Sequence, residues 1–421
     1  MLRRKLGLWD AVSIGLGAII GAGIFVLIGI ASGIAGPAVI FSITISGVSA
    51  MFTALSFAML GVAFPRAGGV YEYGHELLSH SLGFVLGWMW IFGNIVMGAT
   101  ASLGFGYYLS SAFSIIPFKI GALVAVFIVV LLNIVGIKQA AIVNNLIVAI
   151  KIGVLLLFIL VGLPRMQISN FEDFLPHGIL PVFQAAGLFY FAYIGFPRIS
   201  TVAEEVKDPE RDIPLSIMLS LSISAIIYLL TSITALGLMG YEVLGSSPTP
   251  LGDAAKLLGL SGIVEAGALL ATFSVVLTSI MGQSRVFFAM ARNGEIPQFL
   301  SKVHEKFETP VYSILLSGAV MTILVLTVDI SSLASLGSFC ILFTHIFTNC
   351  SALKLYNSAE RSVKSYFQPF SSILGLLMSI VLTLSLEISI IAWGIFVCGI
   401  GFLWYFTYKK LREKESKPRE L

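Results

Sequence analysis

The chain consists mostly of long apolar runs, many close to the roughly 20 residues that a helix needs to cross a bilayer. Of its 421 residues, 57% are hydrophobic and only 11% are charged, whereas about 25% are charged in a typical soluble domain. So few charges exclude a soluble or disordered chain, and the runs lack the roughly ten-residue alternation of a membrane β-barrel. The sequence therefore predicts an all-α polytopic membrane protein.

About twelve apolar runs of spanning length follow one another along the chain. Pro, Gly, Asn or charged residues separate them, as expected of loops. Two connections are longer and polar, residues 65–80, which are predicted to hold a short interfacial helix, and residues 291–310. The predicted spans are 11–35, 38–62, 82–112, 118–136, 142–163, 181–203, 213–241, 261–290, 309–328, 332–355, 368–386 and 389–408.

The distribution of basic residues predicts the orientation of these spans. With the N-terminus in the cytoplasm, most of the 25 Lys and Arg residues fall on the cytoplasmic side, and only Lys119, Arg165 and Lys256 fall outside. The first apolar run has no cleavage pattern of small residues, which favours a retained helix over a signal peptide. We therefore expect a multi-pass protein of the cell membrane with both termini cytoplasmic.

Two of the predicted spans contain helix breakers, at residues 15–25 (GLGAIIGAGIF) and 189–201 (FYFAYIGFPRIST). In the second, Gly195 is followed by Pro197, which removes a backbone donor and disfavours helix at the preceding residue. Glycines also serve as packing faces between membrane helices, and a proline kink can be purely structural. Interruptions at corresponding positions of two halves nevertheless favour a transport site.

Five blocks of sequence resemble the amino acid–polyamine–organocation (APC) transporters. They are GAGIF at 21–25, PRAGGVYEYGHE at 65–76, GFVLGW at 83–88, and the longer blocks 191–217 and 284–311. The resemblance implies a LeuT-type fold, in which two inverted repeats of five helices are followed by two extra helices. Many family members carry Glu where this chain has Pro197.

The same resemblance implies one transporter domain over 1–421. It divides into a first repeat at about 10–165, a second at about 180–357, extra helices at about 366–408 and a cytoplasmic tail at 409–421.

The interruptions predict a site for an α-amino acid. Unwinding around Gly21, Ala22 and Gly23 frees backbone N–H groups at a helix N-terminus, which suits a carboxylate. Unwinding the second segment frees carbonyls that suit an ammonium group. By resemblance, Phe191 lies at the position of an aromatic lid, although ordinary core packing also explains it. The predicted substrate-binding residues are Ala18, Gly21, Ala22, Gly23, Phe191, Ala192, Ile194 and Gly195.

Lys151 is an isolated charge in the fifth predicted span. A charge at the bilayer centre is costly, so the ammonium either reaches the interface or faces the interior of the bundle. The resemblance places such a lysine where sodium binds in sodium-coupled relatives, with Gly17 and Ser274 as the expected partners. Lys151, Gly17 and Ser274 are therefore the predicted proton-coupling residues.

Arg198 is the second intramembrane charge, on the cytoplasmic half of the sixth span. It is expected to pair with Glu204, Glu205 or another acid of an inner gate, or to reach the interface. Asn94 and His345 are polar residues in apolar runs, where lining a cavity and bonding between helices are equally plausible.

These features predict a secondary active amino acid transporter, sodium-independent and coupled to protons, that carries neutral amino acids by alternating access. An exchanger is the alternative. An enzyme is disfavoured because the sequence lacks an HExxH motif or facing acids, and a channel because it lacks a repeated pore loop or charge ring.

Neither cofactor, metal nor nucleic acid is expected; the partners are the amino acid, protons and the bilayer. A disulfide-linked heavy chain is not expected either, since residues 110–119 contain no cysteine.

Overall fold

The computed structural model describes residues 5–65, 68–358 and 368–415. Within these ranges the chain is helical, and its β-structure is limited to one isolated parallel bridge between Leu6 and Val206. The α-helices up to residue 201 are α1 (Leu8–Ile19), α2 (Ile28–Ala35), α3 (Val39–Ala63), α4 (Val70–Leu77), α5 (His80–Ala112), α6 (Phe118–Val135), α7 (Ile137–Gly162), α8 (Leu180–Phe189) and α9 (Arg198–Thr201).

The second half of the chain continues the same pattern of long helices and short connections. Its helices are α10 (Pro209–Met239), α11 (Tyr241–Ser246), α12 (Pro250–Lys256), α13 (Ser261–Arg292), α14 (Val311–Thr327), α15 (Ile330–Ser358), α16 (Phe370–Leu384) and α17 (Ile388–Glu415).

Nine stretches of the described residues are long and apolar enough to cross a membrane. The first of them, Leu8–Ala63, contains α1, α2 and α3, and two shorter apolar helices, Val311–Thr327 and Phe370–Leu384, lie outside the nine. Outer helices such as α6, α7 and α17 expose large apolar side chains, including Phe127, Leu160 and Phe396. These surfaces suit contact with lipid rather than water.

The helix boundaries differ from the sequence prediction at several ends. The short helix α4 lies in the connection where an interfacial helix was expected, whereas α11 and α12, which precede α13, were not predicted. The helix α10 begins at Pro209, before the expected 213, because proline is well tolerated in the first turn of a helix. The last helix continues to Glu415, beyond the expected end at 408.

The centre of the molecule is formed by α5 and α13, which pack along each other, while α15 packs on α5 and α10 on α3. The short helix α1 lies between α7, α10 and α13. Both interrupted segments are therefore enclosed by longer helices.

Candidate functional site

The first interruption lies between α1 and α2. Ile20 adopts an extended conformation (φ −76°, ψ 103°), which ends α1. The chain re-enters helix through a π-helical turn at Gly23–Leu27 that leads into α2. The first N–H groups of a helix have no intrahelical partner. The Phe25 amide already donates to the Gly21 carbonyl at 3.2 Å, so the amides that the interruption can offer are those of Gly21, Ala22 and Gly23. Such π-turns are frequent at functional sites.

The second interruption lies between α8 and α9. A 3₁₀ turn at Tyr190–Tyr193 follows α8, and the chain is non-helical until Arg198 begins α9. Gly195 and Pro197 lie in this gap, and the Gly195 carbonyl accepts a hydrogen bond from the Arg198 amide at 3.2 Å. The break therefore lies at the glycine and proline that the sequence indicated.

The two interruptions pack directly on each other. A Cβ added to Gly23 would overlap the Cβ of Ala192, and one added to Gly195 would overlap the backbone of Ala18 and Ile19. All eight predicted substrate-binding residues are buried: Ala18, Gly21, Ala22, Gly23, Phe191, Ala192, Ile194 and Gly195. The structure thus brings this set together, with glycine where the two segments approach most closely.

Tyr228 on α10 joins both interruptions. Its hydroxyl lies 2.6 Å from the carbonyl oxygen of Ile19 and 3.1 Å from that of Ala192. A hydroxyl has one proton to donate, and the shorter contact is to Ile19. The Ala192 oxygen consequently retains capacity to accept a further hydrogen bond. Tyr228 was not among the residues that the sequence indicated, although a tyrosine within an apolar span needs a partner for its hydroxyl.

Lys151 is buried, and its ammonium lies at the C-terminal end of α1. It donates hydrogen bonds to the carbonyls of Ile20 (2.6 Å) and Gly17 (3.1 Å) and to the hydroxyl of Ser274 (2.7 Å). Ser274 itself donates to the Gly17 carbonyl at 2.8 Å. The carbonyl end of a helix favours a cation, so the interruption of α1 creates a site for this charge. The structure brings together all three predicted proton-coupling residues.

Two further residues of α7 hold α1 in place. Asn144 donates to the carbonyl of Ser13 at 2.6 Å, and Asn145 donates to the carboxylate of Asp10 at 2.8 Å. Together with Lys151, these amides form a polar face on α7 that follows α1 from its first turn to its last. The rest of α7 is largely apolar.

Arg198 is fully buried. It does not pair with Glu204 or Glu205, contrary to one expectation from the sequence. Nor does it reach an interface. Its guanidinium donates to Asn94 on α5 at 2.9 Å and to the hydroxyls of Thr278 and Ser279 on α13, each at 2.8 Å. The sequence could not indicate this position because all three acceptors lie on distant helices.

The two acids instead pair with arginines near the C-terminal end of α13. Glu205 accepts from buried Arg285 at 3.1 Å, and Glu204 lies 3.5 Å from Arg292. The backbone of residue 205 also accepts from the amides of Lys5 and Leu6. This end of the second interrupted segment is therefore fixed both to α13 and to the N-terminal segment.

Asn94 and His345 bond between helices. Asn94 accepts from Arg198 and donates to the Trp90 carbonyl. The His345 Nδ1 lies 2.7 Å from the hydroxyl of Tyr190, while its Nε2 has no partner among the described residues. Both residues thus contact the second interrupted segment or the turn beside it.

No cluster of three or more metal-ligating side chains occurs in the described parts of the chain. The three cysteines are free thiols. The centre instead contains two adjoining helix interruptions and two buried basic side chains, Lys151 and Arg198. Paired interruptions of this kind are typical of membrane transporters.

The chain belongs to the amino acid permease family, whose family model matches residues 6–403. This match confirms the resemblance to APC transporters and identifies a multi-pass membrane transporter rather than an enzyme.

Three relatives illustrate the range of the family. A branched-chain amino acid permease of Bacillus subtilis is 32% identical over 98% of this chain and 94% of its own length. A methylthioribose transporter of the same organism is 29% identical over 97% of this chain and 94% of its own. Cationic amino acid transporter 1 of Arabidopsis thaliana is 31% identical over 90% of this chain and 67% of its own.

Proposed function

We propose that this protein is a sodium-independent secondary active transporter that moves neutral amino acids together with protons by alternating access. The observation that carries the proposal is the Lys151 ammonium at the C-terminal end of α1, between Gly17, Ile20 and Ser274. A protonated lysine there would take the place of a bound sodium ion, so transport would not require sodium.

The proposed architecture is the LeuT-type arrangement of twelve spans with both termini in the cytoplasm of a plasma-membrane protein. Its repeats comprise about 10–165 and 180–357, with extra helices at about 366–408 and a tail at 409–421. The interruptions after Ile19 and Phe189 support this division, since each lies in the first span of its repeat. The two short apolar helices, α14 and α16, then count as spans.

The substrate backbone would bind between the interruptions. The amides of Gly21, Ala22 and Gly23 suit its carboxylate, because helix N-termini bind anions. The Ala192 carbonyl, which has the longer of the two contacts with the Tyr228 hydroxyl, suits its ammonium group. Phe191, which packs against Gly337 of α15, would cover the bound molecule.

The proton would act through Lys151. When protonated, the ammonium ties α7 to α1 and α13, because it donates to residues of both. The neutral amine keeps fewer donors and weakens these ties, which permits α1 to move against α13. Uptake and release of the proton on opposite sides would couple it to the conformational change.

A neutral substrate is supported by the residues around the interruptions, since residues 15–25 and 189–201 include no acid that could bind a cationic side chain. The relative named as a branched-chain amino acid permease agrees with this class. The relative named as a methylthioribose transporter raises a second candidate, a solute without an α-carboxylate.

Uptake into proteoliposomes tests the proposal. The assay compares leucine, glutamate, lysine and methylthioribose, in sodium or choline medium, with and without an inward proton gradient. We expect leucine accumulation that requires the gradient and is indifferent to sodium. Gradient-independent uptake that requires unlabelled amino acid inside the vesicles would identify an exchanger instead. Uptake of methylthioribose alone, or a strict need for sodium, would contradict the proposal.

A further inference from the structure

Arg198 is a buried basic residue that forms no ion pair with any acid of the described residues. Its described partners are all neutral: Asn94, the Val275 carbonyl at 3.4 Å, the two α13 hydroxyls, and the sulfur of Met97 at 3.5 Å. Neutral acceptors satisfy its N–H groups but leave its charge in place. A buried charge without an opposite charge is costly and acts over a longer range than an exposed one.

The other two arginines of this region each have an acidic partner. Arg285 and Arg292 follow Thr278 on α13 at intervals of seven residues, and each lies beside a glutamate. Among the described residues, no acid forms a hydrogen bond or ion pair with Arg198. The helix α5 contains no Asp or Glu, and the only acid of α13, Glu265, lies near its opposite end. Asp10 on α1 bonds to Asn145. Arg198 therefore differs from Arg285 and Arg292, because its described partners include no acid.

The guanidinium is close to the substrate-binding interruption. It bonds to the carbonyl of Val275, and the side chain of Val275 occupies the space that a Cβ on Gly21 would need. Ser274, the neighbouring residue on α13, holds the ammonium of Lys151. Two cations thus reach one turn of α13 beside the site, and both bond only to neutral groups.

We infer that Arg198 is a specificity-determining residue that excludes substrates with a cationic side chain. The inference rests on the proposed transport of amino acids and adds the residue that sets the charge selectivity. A second positive charge entering beside Arg198 would be repelled in a region shielded from water. A neutral side chain of the same size would meet no such barrier.

The test compares norleucine with ornithine, whose side chains have the same number of heavy atoms and differ in the charged end. In the intact protein, we expect norleucine to inhibit leucine uptake at a concentration at least tenfold lower than ornithine. A tenfold difference corresponds to about 1.4 kcal/mol. Equal inhibition by the two compounds would overturn the inference. If neither compound inhibits and leucine itself is not taken up, the result would instead contradict the proposed function.

Two variants cancel the charge in different ways. Arg198→Gln removes it, and Asn94→Asp adds a carboxylate at the atom that already accepts from the guanidinium. In both, we expect the ratio of ornithine to norleucine potency to rise at least tenfold, whereas Arg198→Lys keeps the exclusion. Asn349→Asp, in a polar cluster with Thr53 and Ser56, is the matched control and should also keep it.

An unchanged ratio in Arg198→Gln and Asn94→Asp would overturn the assignment. The assignment would also be overturned if ornithine inhibited uptake in Lys151→Met but not in Arg198→Gln or Asn94→Asp. The repelling charge would then be that of Lys151. If the variants do not fold, thermal stabilisation of the purified intact protein decides. Stabilisation by norleucine and not by ornithine supports the inference, and equal stabilisation overturns it.

Discussion

The hydroxyl of Tyr228 lies 2.6 Å from the carbonyl oxygen of Ile19, the last residue of α1. An interrupted helix leaves its last carbonyls without intrahelical donors, and in a buried site each must find another partner. Tyr228 provides one from α10, while Lys151 provides another from α7. The interruption is therefore stabilised by side chains of helices that are remote in sequence.

We expect Tyr228→Phe to lower the thermal stability of the protein and to raise the half-saturation concentration for its substrate. The variant leaves the buried Ile19 carbonyl without this donor, which costs about 1–3 kcal/mol, and alters the position of Ala192. Thermal unfolding and proteoliposome uptake measure the two effects.

Tyr108→Phe is the control for this variant, because Tyr108 donates to the carbonyl of Phe25 at 2.7 Å, farther along the same segment. It should reduce stability without changing the half-saturation concentration. If both variants change that concentration equally, Tyr228 has no special relation to the site.

The sequence predicted the interruptions because glycine and proline act locally, through the conformations that they allow or forbid. It also indicated Lys151, since an isolated charge in an apolar run requires an explanation. It could not indicate the acceptors of Arg198, because they are a neutral amide and hydroxyls common in any membrane helix. Tyr228 was missed for the same reason: its importance depends on which carbonyls it faces.

Gly23→Ala should abolish or severely reduce uptake. The new Cβ would overlap Ala192 across the interface between the interruptions, and the two segments would have to separate. Gly153→Ala on α7 is the matched control, because nothing lies within 4 Å of its added Cβ. We expect the control to transport normally. Normal uptake and affinity in Gly23→Leu would show that close approach at this position is not needed.

Glu205→Gln should destabilise the protein by several kcal/mol, because it leaves the Arg285 guanidinium buried without its charge partner. Breaking a buried ion pair typically costs about 3–5 kcal/mol. Asp253→Asn removes one partner of the exposed pair with Lys256 and should cost less than about 1 kcal/mol. Thermal unfolding in detergent compares the two; equal losses would contradict the importance of the buried pair.

Glu295, which follows the end of α13, should make stability depend on pH. Burial raises the pKa of its carboxyl to about 7, while burial lowers the pKa of His75, 3.6 Å away. Because the folded pKa of Glu295 exceeds the ordinary value of 4.5, its contribution to stability is complete below pH 4.5 and is lost as pH rises through about 7. The loss is at most about 3 kcal/mol.

Thermal unfolding at pH 6 and pH 8 measures this contribution. We expect the intact protein to unfold at a lower temperature at pH 8, and Glu295→Gln to reduce that difference. Glu265→Gln, near the N-terminal end of α13, should leave this difference unchanged. An unaltered difference in Glu295→Gln would assign the pH dependence to other groups.

Lys151→Ala should flatten the dependence of uptake on pH. The reason is that the protonated amine ties α7 to the end of α1 and to Ser274, and the variant has no group that can make or release these ties. Lys256→Ala, which removes an exposed lysine, should keep the pH dependence of the intact protein. Uptake over pH 5 to 8, in choline medium, measures both. If Lys151→Ala retains the rate and the shape of the curve of uptake against pH, Lys151 has no part in coupling. A strict sodium requirement in the intact protein would exclude a coupling role for Lys151 more decisively.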